Sequence, residues 1–147
     1  MNRRAILAGS GTALVSSVAG CLDGAPDDGL DTKFETSDDA SRSDADSQPT
    51  VTVENSKIVV SGTILYGRAG CGTIELAHSK YTPYQDRLDL LVVSANESPF
   101  NRDRCSLDDD VGAYRIEVSG WNLLRYVSVT EHHYNGEIYS KTHELDI

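Results

Sequence analysis

From residue 50 onward the chain is written in short alternating or β-branched runs. TVTVE (50–54) alternates, and KIVVSGTILY (57–66) is β-branched and apolar. CGTIELAHS (71–79) alternates and puts Ile74, Leu76 and His78 on one expected face. RLDLLVVSA (87–95) reads as a core strand. VGAYRIEVSG (111–120) sets Tyr114, Ile116 and Val118 against Arg115 and Glu117 on the opposite face. Two further runs, 125–134 and 137–145, flank Asn135-Gly136, a strong short-range hairpin signal. No stretch sustains a helical period. About seven short strands with turn residues between them predict an all-β fold, a small immunoglobulin-like β-sandwich over 51–147. Trp121, after the fifth strand, is expected to cap the sheet as a core residue.

The hairpin register sorts the histidines. A two-residue Asn135-Gly136 loop pairs Tyr134 with Glu137, His133 with Ile138 and His132 with Tyr139, so His132 and His133 face opposite ways. His143 then falls opposite Ser128, about 13 Å along the strand from His132. No two of these three can share an ion. His78 could join one of them, but two ligands are too few for structural zinc. No metal and no cofactor is expected.

Upstream the pattern changes twice. Residues 22–50 contain nine acids against Lys33 and Arg42, and Phe34 is the only aromatic. Such a segment buries too little apolar surface to offset its ordering entropy, so 21–50 is expected to be a disordered acidic linker. Residues 1–20 carry Arg3 and Arg4, then a soft apolar run from Ala5 to Gly20, too short to span a bilayer. That is the layout of an export signal, and the paired arginines resemble a twin-arginine leader. Val18-Ala19-Gly20-Cys21 resembles a lipobox, which makes Cys21 the lipidation site and places the protein at the extracytoplasmic face of the cell membrane.

With Cys21 set aside, Cys71 and Cys105 form an even pair in an oxidising compartment. A bridge between them would close a loop of about 35 residues, worth roughly 3–4 kcal/mol in the chain-entropy model. Asn96-Glu97-Ser98 is a glycosylation sequon with Pro99 behind it. Asp108-Asp109-Asp110 reads as a solvated turn rather than a calcium loop. The formal net charge of −10 argues against a nucleic-acid partner.

The arginine pair, the AGC lipobox, the acidic tether and a small β domain with VVSGTILYGRAGCGTIEL and VSVTEHHYNG together resemble haloarchaeal lipoproteins. The resemblance implies a location and a β domain. It implies no activity and carries over no catalytic residue.

The chain has no GxSxG, HExxH or P-loop. The expectation is therefore a lipid-anchored binding or accessory module, not an enzyme. Its loops 67–72, 97–110 and 120–124 would contact a cell-surface protein partner. A structural envelope component is the alternative. A small hydrolase would need His78 brought to Ser128 or Ser140.

Overall fold

The runs at 50–54 and 57–66 fold back on each other through Asn55 and Ser56. Both residues take positive φ (48° and 62°), the backbone of a type I′ turn. The computed structural model describes residues 29–68, 72–96 and 109–146. Eight strands are present: β1 Asp31–Ser37, β2 Thr50–Glu54, β3 Lys57–Arg68, β4 Gly72–Thr82, β5 Arg87–Asn96, β6 Asp109–Ser119, β7 Tyr126–His132 and β8 Ile138–Glu144. They form two four-stranded sheets, β1-β6-β3-β2 and β4-β5-β7-β8, stacked as an all-β sandwich. Neighbours are antiparallel except β5 and β7. That parallel pair is possible because the chain leaves for the other sheet, builds β6, and returns.

The core is the two inner faces. Ile58, Val60, Ile64, Ile116 and Val118 from one sheet meet Leu88, Leu90, Val92, Val127 and Val129 from the other. Tyr114, Ile116 and Val118 share the inner face as their alternation predicts, while Arg115 is exposed and Glu117 only partly covered. Trp121 packs against this core and donates its indole N–H to the Ser56 carbonyl at 2.7 Å, so it closes one end of the sandwich.

Four expectations are corrected. First, the disordered linker was expected to run to residue 50. Residues 21–28 of it lie outside the described residues, but Asp31–Ser37 pairs along its whole length with β6. Phe34 and Thr32 turn inward, and Phe34 stacks on Tyr114 at 6.3 Å. The charges lie on the other side, where Lys33 sits opposite Glu117 and Glu35 opposite Arg115. Residues 42–46 then form a short 3₁₀ helix. Its start is held by Asp44, which accepts from the Ser41 N–H (3.1 Å) and hydroxyl (2.7 Å). Ala45 and Pro49 are buried.

Second, the turn around Asn135-Gly136 is a three-residue loop. Gly136 N–H donates to the His133 carbonyl and His133 N–H to the Glu137 carbonyl, and only Gly136 has positive φ. This is a type I turn closed by a bulge, and it slips β8 by one residue. His132 therefore pairs with Ile138, and His143 with Val127.

Third, β4 carries a bulge between Leu76 and His78, which turns His78 out to solvent instead of leaving it beside Ile74 and Leu76. Fourth, Asp109 and Asp110 open β6 rather than lying in a turn, and Asn96 closes β5 opposite Gly72.

If β1 is part of the sandwich, Phe34→Ala removes apolar packing against Tyr114 and lowers stability by about 1–2 kcal/mol, less than for a fully buried ring. Urea unfolding measures this, and a residue in a disordered tether would give no change.

Candidate functional site

The alternation of β7 places Val127, Val129 and Glu131 on the inner face. Glu131 is fully buried, with 0% exposure, in a row otherwise made of aliphatic side chains. A carboxylate there is costly unless both oxygens find donors. Both do. The Tyr114 hydroxyl, reaching across from β6, donates to Oε1 at 2.6 Å. His133 Nε2 donates to Oε2 at 3.2 Å. The histidine tautomer follows from its other contact: Nδ1 accepts the Leu65 N–H of β3 at 3.1 Å, so the ring proton sits on Nε2. The Tyr139 ring meets His133 edge-on, 5.1 Å between centroids.

The backbone explains why this row forms. β2 stops pairing with β3 at Ser61, which leaves the edge of β3 beyond it without a partner strand. Leu65 lies on that stretch and is buried. Its N–H goes to the His133 ring, and its carbonyl accepts the Tyr134 N–H at 2.9 Å. The residues just past β7 thus take up the backbone groups of the opposite sheet at Leu65. Gly62, paired with Tyr114, completes the arrangement: a Cβ there would collide with Glu131 Oε1 and the Tyr114 hydroxyl. Among the described residues every buried side-chain nitrogen and oxygen has a partner. Burial first, then the charge of Glu131 and the hydrogen bond to it, push the Tyr114 phenol far above the ordinary tyrosine range.

Above this row lies a cleft of about 370 Å³. Arg42, Ser43 and Asp46 of the 3₁₀ helix form one side, Asn135 and Glu137 of the β7–β8 loop form the other, and His133 lies at its base. The loop wall is stiffened from within, since Asn135 Oδ1 accepts the Glu137 N–H at 3.1 Å and Glu137 accepts the Tyr139 hydroxyl at 3.2 Å. The cleft therefore offers charged and amide groups on a braced frame. His133 offers it no free nitrogen, because both ring nitrogens are used inside the protein. The Tyr114–Glu131–His133 row is a closed structural relay. To accept a proton from a ligand, Nδ1 would have to give up Leu65.

The residues singled out from the sequence fall elsewhere. Arg3, Arg4, Cys21, Cys71, Cys105 and Asp108 lie outside the described residues. His78 is two strands from Ser128. It shares a cross-sheet row with Leu91, Thr130 and Ser140, which puts it about 14 Å from Ser140 at the usual strand spacing. The two serines pair instead with threonines, Ser128 with Thr142 at 3.1 Å and Ser140 with Thr130 at 3.0 Å. Asp110 caps its own strand start through the Val111 N–H (2.9 Å) and accepts from the Tyr66 hydroxyl (3.4 Å). No group of three or more metal-ligating side chains occurs among the described residues. Glu131 was not singled out from the sequence, although its parity with Val127 and Val129 marks it as inward-facing. Compared with protein-family models, with curated proteins and with solved structures, the chain matches none.

Two outcomes follow from the relay. Glu131→Gln keeps the shape but replaces one acceptor oxygen with a donor, facing either Tyr114 or the Nε2–H of His133. A loss of about 1–3 kcal/mol in denaturant unfolding is expected. Alkaline stability reports on Tyr114 separately. Its raised folded value means that above the ordinary 10.0 the unfolded chain releases a proton that the folded chain keeps. Stability then falls as pH rises, by up to about 1.4 kcal/mol per pH unit for this one group. Tyr66, raised by burial and then by the charge of Asp110, acts in the same direction. Tyr114→Phe should make the slope of unfolding free energy against pH shallower by the share of that one group.

Proposed function

We propose that this protein is an exported, lipid-anchored β-sandwich that works as a binding or accessory module at the extracytoplasmic face of the cell membrane. The anchor is Cys21, placed after the paired Arg3 and Arg4 and the small residues of Val18-Ala19-Gly20. Among the described residues no helix is long and apolar enough to cross a membrane. The reading therefore rests on the lipid for attachment.

The observation that carries the binding role is the placement of the cleft. β1 begins at Asp31 opposite Ser119, at the end of the sandwich that holds the Asn55–Ser56 turn and Trp121. The cleft is built at the other end, from the 42–46 helix that follows β1 and the 133–137 loop. A domain held from one end with a polar, braced cleft at the other is arranged to present that cleft. Arg42, Asp46, Asn135 and Glu137 suit a polar partner, and the acidic balance of the chain favours one that is not itself strongly acidic.

Membrane fractionation of wild type and Cys21→Ser tests the anchor. The wild type is expected in the membrane fraction and the variant in the soluble fraction; a variant that stays with membranes overturns it. Cross-linking and mass spectrometry on native membranes test the binding role. A stoichiometric partner lost in Asp46→Lys/Glu137→Lys supports the cleft as the contact, and a partner retained by that variant removes it.

A further inference from the structure

The short distance from Cys21 to the first strand has a geometric consequence. Only seven residues, 22–28, separate Cys21 from Gly29, where the described chain begins. Fully extended, that length of chain spans at most about 28 Å. The sandwich is longer. β3 alone has 12 residues, about 36 Å of strand. For the cleft end to face the bilayer, Gly29 would have to stand a full strand length above it. The tether does not reach that far. On the anchored reading above, the end of the sandwich where the chain comes in therefore stays within about 28 Å of the lipid, and the cleft end is not the one that rests upright on it.

That end has the side chains for contact. Among the described residues the most exposed large hydrophobic residues are Tyr84 (99%) and Leu123 (72%), and both are there. Tyr84 lies in the 83–85 turn between β4 and β5, and Leu123 in the 120–125 connection between β6 and β7. The two loops are joined: the Asp86 carbonyl accepts the N–H groups of Arg125 (2.8 Å) and Tyr126 (3.0 Å). Gly120, at φ +76°, lets Gly29 and Leu30 pass directly against this platform, and Leu30 shares a small apolar hollow with Leu123. Val53, also half exposed, is on β2 next to the turn at the same end. The cations nearby are matched, Arg125 with Asp86 and Arg87 with Asp89, and with the exposed acids Asp31, Glu144 and Asp146 at the same end the surface suits an uncharged lipid face rather than an anionic one.

We infer that Tyr84 and Leu123 dock this end of the sandwich on the bilayer that carries the Cys21 lipid. Tyrosine is suited to that depth, with an apolar ring and a hydroxyl that stays wet. The lipid anchor supplies attachment, and the apolar tips set orientation. The cleft is then turned away from the membrane, toward whatever lies outside.

The chain has one tryptophan, Trp121, which allows a direct test. The full lipidated chain is placed in phosphatidylcholine vesicles carrying bromine on the acyl chains near the headgroups. Trp121→Phe serves as background, with the reporter moved to Tyr84→Trp or Tyr134→Trp. The docked orientation predicts loss of most of the emission from Trp at position 84 and none at 134, where the loop belongs to the cleft end. Equal quenching at both positions, or none at 84 in chains that co-float with the vesicles, overturns the docking while leaving the anchor intact. Chains that do not float with the vesicles at all overturn the anchor, and the docking with it.

Discussion

A carboxylate sits between the two sheets with no access to water, and the surroundings are arranged to satisfy it. Glu131 takes one hydrogen bond from Tyr114 of the opposite sheet and one from His133 beyond the end of its own strand. His133 in turn accepts the Leu65 N–H of the opposite sheet. Three features that look unrelated then share a cause. Gly62 has no room for a side chain because Tyr114 and Glu131 fill that space. The pairing of β2 with β3 can stop at Ser61 because His133 and Tyr134, just past β7, take up the Leu65 N–H and carbonyl on the edge beyond it. Tyr139 faces inward, directly opposite Glu131, because the loop slips β8 by one residue. Replacing such a buried network with fitted apolar groups is often neutral or stabilising, whereas removing one member is costly. The relay is best understood as fixing how the sheets meet, with hydrophobic burial supplying most of the stability.

Alternation made most of the sandwich legible. Strands β2 to β8 lie close to where period-two patterning puts them, because each has one face in the core and one in water. The relay was only half legible. The parity of Val127, Val129 and Glu131 places the glutamate inside, but one donor is Tyr114, seventeen residues earlier, and the other, His133, is held in place by the Leu65 N–H, sixty-eight residues from it. No local pattern carries such pairings. The hairpin shows the same limit. Asn135-Gly136 favours a two-residue turn, yet the three-residue loop lets Tyr139 pack on His133 and leaves Ile138 largely exposed instead. Tertiary packing outweighed the local turn preference. The bulge at His78 likewise left no trace that alternation could register.

β1 was concealed for a different reason. Averaged over residues 22–50, composition reports acid and little else. A strand needs only one apolar side, and Asp31–Ser37 has a sparse one in Thr32 and Phe34. Its outer side is charged, but not at random. Lys33 and Glu35 stand opposite Glu117 and Arg115, and Arg115 also reaches Glu54 and Glu117 while Lys57 reaches Glu117. Each exposed pair contributes little on its own, about 0–1 kcal/mol. Their alternation of sign still lets an acidic segment lie against a sheet without repulsion. Composition sums charge, whereas pairing depends on where each charge stands.

The placement of β1 also alters what the acidic segment does. A flexible spacer of 29 residues would leave the domain free to tumble, with its orientation set by the partner. With β1 and the 42–46 helix folded into the domain, the same residues become one edge of a sheet and one wall of the cleft. What remains between Cys21 and Gly29 is shorter than the domain it carries. On the proposed anchoring, orientation is a property of the chain itself, with the cleft and the membrane at opposite ends. The segment that composition marks as a passive linker is, on this reading, what couples the anchor to the direction in which the binding face looks.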